Sequence, residues 1–202
     1  MKMHRLRIAP IVEGHGEEAS LRLLLQRVGR ELFHAHIDVV QPIRGKRMRL
    51  VQLGDLERSI QHAIRKLRDL ESDDPAVVLV LLDADDDLPC ELGPTILGMA
   101  RLARRDVDVF CVIANVEYET WLIAGADSLV EDLDLSRDRE LPPSPEAQRL
   151  GKAWIQRRFR KRRSYSPTTD QPAMTSRMDL ERARERSPSF AKLCRELEKR
   201  LV

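Results

Sequence analysis

At 202 residues and 42% hydrophobic content, the chain is long enough for one domain with a real core, or for one domain with a helical appendage. Its 35 Lys and Arg nearly cancel its 33 Asp and Glu, so a formal charge of +2 excludes a polycation. Any attraction to nucleic acid must come from how charge is distributed. Cys90, Cys111 and Cys194 are odd in number, far apart and free of CxxC spacing, which argues against a disulfide framework or a zinc site and fits a reducing compartment. No signal-type apolar region opens the chain, and no apolar stretch nears the roughly 20 residues of a membrane helix. The expectation is a cytoplasmic protein without a membrane partner.

Residues 6–12 are apolar and β-compatible, and they stop at Glu13-Gly14-His15-Gly16, where glycine permits a tight strand-to-helix turn. Leu21, Leu24, Leu25, Val28 and Leu32 then recur at helical spacing. Residues 37–43 read as a second strand, followed by the basic stretch 44–49. A second amphipathic helix places Leu56, Ile60, Ala63, Ile64 and Leu67 on its inner face. Residues 77–82 are apolar at every position, the mark of a strand buried on both faces of a parallel sheet, and they end in Asp83-Ala84-Asp85-Asp86-Asp87. Ile96, Met99, Ala100 and Ala103 mark a third helix. Residues 107–116 form a fourth apolar strand ending at Glu117-Tyr118-Glu119.

Repeated strand–helix order predicts an α/β fold, an open parallel sheet flanked by helices. The character changes after Gly125, so the expected organisation is a core over 1–126 and a linker with a C-terminal helical extension over 127–202, packed on the core. Residues 127–145 are acidic and broken by prolines; 146–163 are helix-compatible and basic towards their end; 179–201 are helical with an interruption at Ser187-Pro188-Ser189. Ser187 is placed to cap a last helix with Pro188 in its first turn.

In parallel α/β sheets, sites form outside the carboxyl ends of the strands. Three of the four predicted strands end in acid: Glu13, Asp83 with Asp85, and Glu117 with Glu119. Asp83 and Asp85 share a side if the strand continues that far, and Glu17, one turn into the first helix, can point back at the same crevice. Converging carboxylates repel one another unless a cation lies among them. Hard oxygen donors without His or Cys companions favour Mg2+ or Mn2+. The competing reading of each acid is a helix cap or a solvated loop residue.

Ile11-Val12-Glu13-Gly14 followed by Leu81-Leu82-Asp83-Ala84-Asp85 resembles the two half-motifs of the TOPRIM domain of topoisomerases, bacterial primases and OLD-type nucleases. The further order of Glu117-Tyr118-Glu119-Thr120-Trp121, Tyr165 with Thr168-Thr169, Met178-Asp179-Leu180 and Ser187-Pro188-Ser189-Phe190 resembles a small stand-alone TOPRIM-like family, a domain of unknown function numbered 4276, over nearly the whole chain.

The resemblance implies a TOPRIM/Rossmann-like sheet and Mg2+-dependent phosphodiester chemistry. Glu13, Asp83 and Asp85 would be catalytic, and Glu13, Glu17, Asp83, Asp85 and Glu117 would hold metal. It further implies a basic residue near the reacting phosphate. Ser166-Pro167 follow Tyr165 where relatives carry lysine, so Lys152, Lys161 or an arginine is left for that role.

Two basic patches, Arg44-Lys46-Arg47 and Arg158-Lys161-Arg162, are candidates for nucleic-acid binding through phosphates; for the second, a solvated helix end is the competing reading. The expected function is a Mg2+-dependent TOPRIM-like nuclease acting on DNA or RNA in a bacterial defence or toxin setting, with a separate OLD- or ABC-like ATPase as a possible partner. The alternative is a non-catalytic module that binds nucleic acid or a partner through metal.

Overall fold

A computed structural model describes residues 3–46, 50–70, 72–135, 141–147, 151–160 and 163–201. Strand β1 (Arg5–Val12) leads into α1 (His15–Leu32), then β2 (His36–Val39) and β3 (Ile43–Arg44). Helix α2 (Leu53–Arg68), β4 (Ala76–Asp83), α3 (Pro89–Ala103) and β5 (Val109–Ala114) follow. The rest is helical: α4 (Glu119–Ala124), α5 (Gly151–Arg158), α6 (Pro167–Thr175), α7 (Leu180–Arg186) and α8 (Pro188–Glu198).

All strand pairs are parallel, in the order β2-β1-β4-β5, with β3 also pairing β1. The alternation of each strand divides the core into two layers. Ile8, Val12, Leu79, Leu81 and Val112 face α1 and the C-terminal helices, while Ala9, Ile11, Val78, Val80 and Ile113 face α2 and α3. Every residue from Val77 to Leu82 is buried, because β4 has helices above and below it.

The 37–43 stretch is two short strands rather than one. Main-chain amides of Val40 and Gly45 donate to the carbonyls of Ile8 and Val12 (3.1 and 2.9 Å), so residues of that parity in β1 direct their polar groups towards β2 and β3. Pro10 shares that parity and has no N–H to offer, and it lies between the two paired segments, opposite the break. The fourth predicted strand is likewise shorter, Val109–Ala114.

From α4 onward the chain packs on the α1 face, and Trp121, Met174, Leu180, Phe190 and Leu193 join the same apolar cluster as β1 and β4. The Ser187 hydroxyl accepts from the Phe190 amide (3.1 Å) and caps α8, with Pro188 at its first position. Ser187 also donates to the buried Glu146, as do the Ser189 amide (2.9 Å) and hydroxyl (2.6 Å). That carboxylate ties the linker to the start of α8. Among the described residues, no helix is long and apolar enough to cross a membrane.

Candidate functional site

The switch point of the sheet lies between β1, which continues through α1 to β2, and β4 on its other side. Crevices at such points, outside the carboxyl ends of the strands, are where parallel α/β sheets bind ligands. Glu13 follows the last residue of β1, and Asp83 is the last residue of β4. Burial pushes the Asp83 carboxyl well above its usual range, and the charges of Glu17, Glu119 and Glu13 push the same way, with Lys152 opposing. Those five side chains therefore share one electrostatic site. The Tyr118 amide donates to Asp83 Oδ1 (3.0 Å) and anchors it to the start of α4.

Glu17 is only 6% exposed. Its carboxylate folds back over the strand-to-helix turn: a Cβ on Gly14 would lie 2.1 Å from Glu17 Oε2, so a side chain there would displace that carboxylate. Glu117 accepts from the Lys152 main-chain amide (2.6 Å) and lies 3.1 Å from its ammonium. Glu119 is fully buried, 3.7 Å from the same ammonium, and accepts from the Tyr165 hydroxyl (3.1 Å). Burial raises the Glu119 carboxyl to about 7 against an opposing Lys152, with Glu117 adding to the rise. Burial works against the Lys152 ammonium, yet Glu119, Glu117 and Asp83 outweigh it and hold its proton more tightly than usual. Burial and the Glu119 charge likewise raise the Tyr165 phenol.

Strand β4 ends at Asp83, so Asp85 does not continue its register. Asp85 is exposed, with a left-handed φ of 49°, and its amide donates to the carbonyl of Val116 (2.9 Å), itself at φ 66°. A β-branched residue in that region is a true outlier, costing about 1–3 kcal/mol. The strain sits between Asp83 and the Glu117–Glu119 pair.

The donors are hard oxygens in excess of their one lysine, which suits a divalent cation. Their spacing is looser than a coordination sphere: among the described residues, no three His, Cys, Asp or Glu side chains stand together as a ready metal-binding group. The cationic charge shown acting on Asp83 is that of Lys152.

A family model, Domain of unknown function (DUF4276), matches residues 12–198, a span that takes in every member of this cluster. The chain belongs to the DUF4276 family. No curated protein and no solved structure matches it.

The basic residues of this DUF4276 domain divide by location. Arg44 and Lys46 are exposed beside the crevice, with Arg44 Nε 3.4 Å from Glu18. Arg158 instead stacks on Trp154, 4.1 Å from the ring centre. Its neighbours are also engaged internally: Arg160 with the Leu133 carbonyl (3.1 Å) and Asp134 (3.6 Å), and Arg163 bidentately with the buried Asp170. The run around 158 thus contributes substantially to packing. Arg47, Lys161 and Arg162 lie outside the described residues.

Glu119 joins the site although a Glu opening a helix is ordinary in sequence; the signal was its Glu-x-Glu spacing with Glu117 after a buried strand. Lys152, one of several residues open for the basic role, is brought in by the α4–α5 packing. A Cβ on Gly151 would meet Glu117 Oε1 at 2.8 Å and Glu119 Cβ at 3.2 Å, so the glycine lets α5 approach that closely.

Proposed function

We propose that this DUF4276 domain is a divalent-cation-dependent phosphodiesterase acting on DNA or RNA, a TOPRIM-like nuclease. The reading rests on the convergence of Glu13, Glu17, Glu119 and the half-exposed Lys152 on Asp83 at the switch point of a parallel sheet. Glu13, Glu17, Asp83 and Glu117 would hold Mg2+ or Mn2+, with Asp85 on the adjoining turn. When bound, such a cation supplies Lewis-acid stabilisation of a phosphoryl oxygen and a more acidic water.

The remaining groups have roles set by their charge. Lys152 carries three donors and can turn from the carboxylates to a phosphate oxygen, stabilising charge that grows in the transition state. Glu119, its carboxyl raised to about 7, can hold a proton at neutral pH and so set how tightly Lys152 is held, while Tyr165 fixes its orientation. A setting in defence, beside a separate OLD- or ABC-like ATPase, belongs to the same proposal.

The second reading, a non-catalytic module that binds nucleic acid or a partner, is favoured by the Lys152–Glu117 and Lys152–Glu119 ion pairs. A lysine held by two carboxylates is drawn away from a reacting phosphate, while the acids in excess of it still suit the metal through which such a module would bind.

Plasmid, linear DNA and RNA incubated with the protein and Mg2+ or Mn2+ separate the two. Cleavage that drops by about 10²–10⁴-fold in Asp83→Asn and Glu13→Gln is the expected result. Cleavage that survives both substitutions places the chemistry elsewhere, and metal-dependent binding without cleavage by the wild type supports the module.

A further inference from the structure

Beside β3 lies a cavity of about 390 Å3 that the acidic crevice does not use. Its polar wall comes from Arg44, Gly45 and Lys46 at the end of β3, and from Asp55, Arg58, Ser59 and His62 of α2, with Ile43 and Leu50 completing the lining. The four α2 residues recur at positions i, i+3, i+4 and i+7, one face of the helix, while Leu56, Ile60 and Ala63 bury the adjoining face in the core. In the lining Arg44, Lys46 and Arg58 set three cations against Asp55; Asp55 orients Arg58 through an ion pair, and Arg44 Nε also lies 3.4 Å from Glu18. The Ser59 hydroxyl donates to the Asp55 carbonyl, which leaves Arg44, Lys46, Arg58 and His62 as the groups able to donate inward.

The position of the cavity connects it to the crevice. Arg44 pairs with Val12, the residue before Glu13, and Gly45 donates to the Val12 carbonyl (2.9 Å). The cationic wall therefore begins one strand, about 4.8 Å, from the strand that Glu13 follows. An anionic chain reaching the acids from this side would meet the cations first.

We infer that this cavity is a subsite for a phosphate group of a nucleic-acid strand whose neighbouring linkage lies in the acidic crevice. The inference rests on the phosphodiesterase reading and adds to it a direction of approach and a second point of attachment. A phosphate there accepts charge-assisted bonds from Arg44, Lys46 and Arg58, and a cavity of this size holds a nucleotide-sized group and no duplex. The phosphate is either the terminal monoester or an internal diester of the strand.

Binding of a short fluorescent oligonucleotide to the full chain, followed by anisotropy in EDTA so that no cleavage occurs, tests the subsite. Arg58→Gln combined with Lys46→Gln alters two exposed side chains, and circular dichroism confirms that the fold is kept. The expected result is an affinity about tenfold weaker and a shallower salt dependence, by about 1–2 units of slope. A wild-type preference for the 5′-phosphorylated oligonucleotide over its 5′-hydroxyl form assigns the subsite to the terminal monoester; equal affinity assigns it to an internal diester. Double-variant affinity within about twofold of wild type, or no oligonucleotide binding by the wild type, overturns the inference. Cleavage in Mg2+ is scored separately. A protein that binds through the subsite but never cuts sinks the phosphodiesterase reading alone, and one that cuts while the double variant binds normally sinks the subsite alone.

Discussion

Glu119 shows how one buried carboxyl links stability to pH. Its carboxyl is raised from the ordinary 4.5 to about 7, so between those values the folded chain holds a proton that the unfolded chain has released. Stability then falls as pH rises through this window, because the folded state binds more protons there. The full shift corresponds to something on the order of 3 kcal/mol shared among the coupled acids. Urea denaturation at pH 5 and pH 8 should show the wild type less stable at the higher pH, and Glu119→Gln should remove much of that difference. A wild-type stability that rises from pH 5 to pH 8 would contradict the Glu119 shift. Mg2+ carries its own check, because a cation among the acids stabilises the folded chain when they are ionised. Added Mg2+ should raise the unfolding midpoint at pH 8 far more than at pH 5.

At the scale of elements, two close contacts join the C-terminal helices to the sheet. Ser189 Oγ accepts from the Trp121 indole (2.7 Å) and the Asn115 amide (3.2 Å), and donates to Glu146 (2.6 Å). Ser189→Ala strands the Trp121 indole and the Asn115 amide in a buried site and takes one of three donors from Glu146 Oε1, at a cost of about 2–4 kcal/mol. Thermal denaturation should show the midpoint fall by roughly 5–15 °C; an unchanged midpoint would mean the network is not holding α8 in place. Gly151→Ala acts on the other contact, where a Cβ collides with Glu117. Displacing α5 moves Lys152 away from its carboxylates, so the proposed cleavage should fall by about 10²-fold, well beyond any loss of stability. How far sequence alone reaches follows from the same residues. The apolar run of β4 announced a doubly covered strand, and Glu13 and Asp83 were legible because each ends such a run. The break between β2 and β3 was hidden, since it depends on which way Pro10 faces. The engagement of Arg158, Arg160 and Arg163 was hidden too, because Asp134 and Asp170 are partners only once the chain has folded.

Across the whole molecule, the α1 face of the sheet belongs jointly to both halves of the chain. Leu21, Leu24 and Leu25 of α1 share one apolar cluster with Met174, Met178 and Phe190, and the Arg27 guanidinium donates to the Thr175 carbonyl (2.7 Å) and the Met178 carbonyl (3.0 Å). A core cut after residue 126 would leave that face in water. Residues 1–126 expressed alone should be insoluble or bind a hydrophobic dye without a cooperative melt, whereas a soluble fragment that unfolds cooperatively would show that the C-terminal helices are an accessory. The same cut removes Lys152 and Tyr165, so the crevice too is assembled from both ends of the sequence.

The interruption opposite Pro10 also matters for neighbouring molecules in a crowded solution. A long, regular outer strand offers its spare amides and carbonyls as a template on which another chain can add itself. Here that margin of the sheet is split into a four-residue piece and a two-residue piece, with charged Arg44 in the second. A stray strand finds too short a ladder to grip, so the proline that costs the sheet a stretch of pairing also protects it against aggregation.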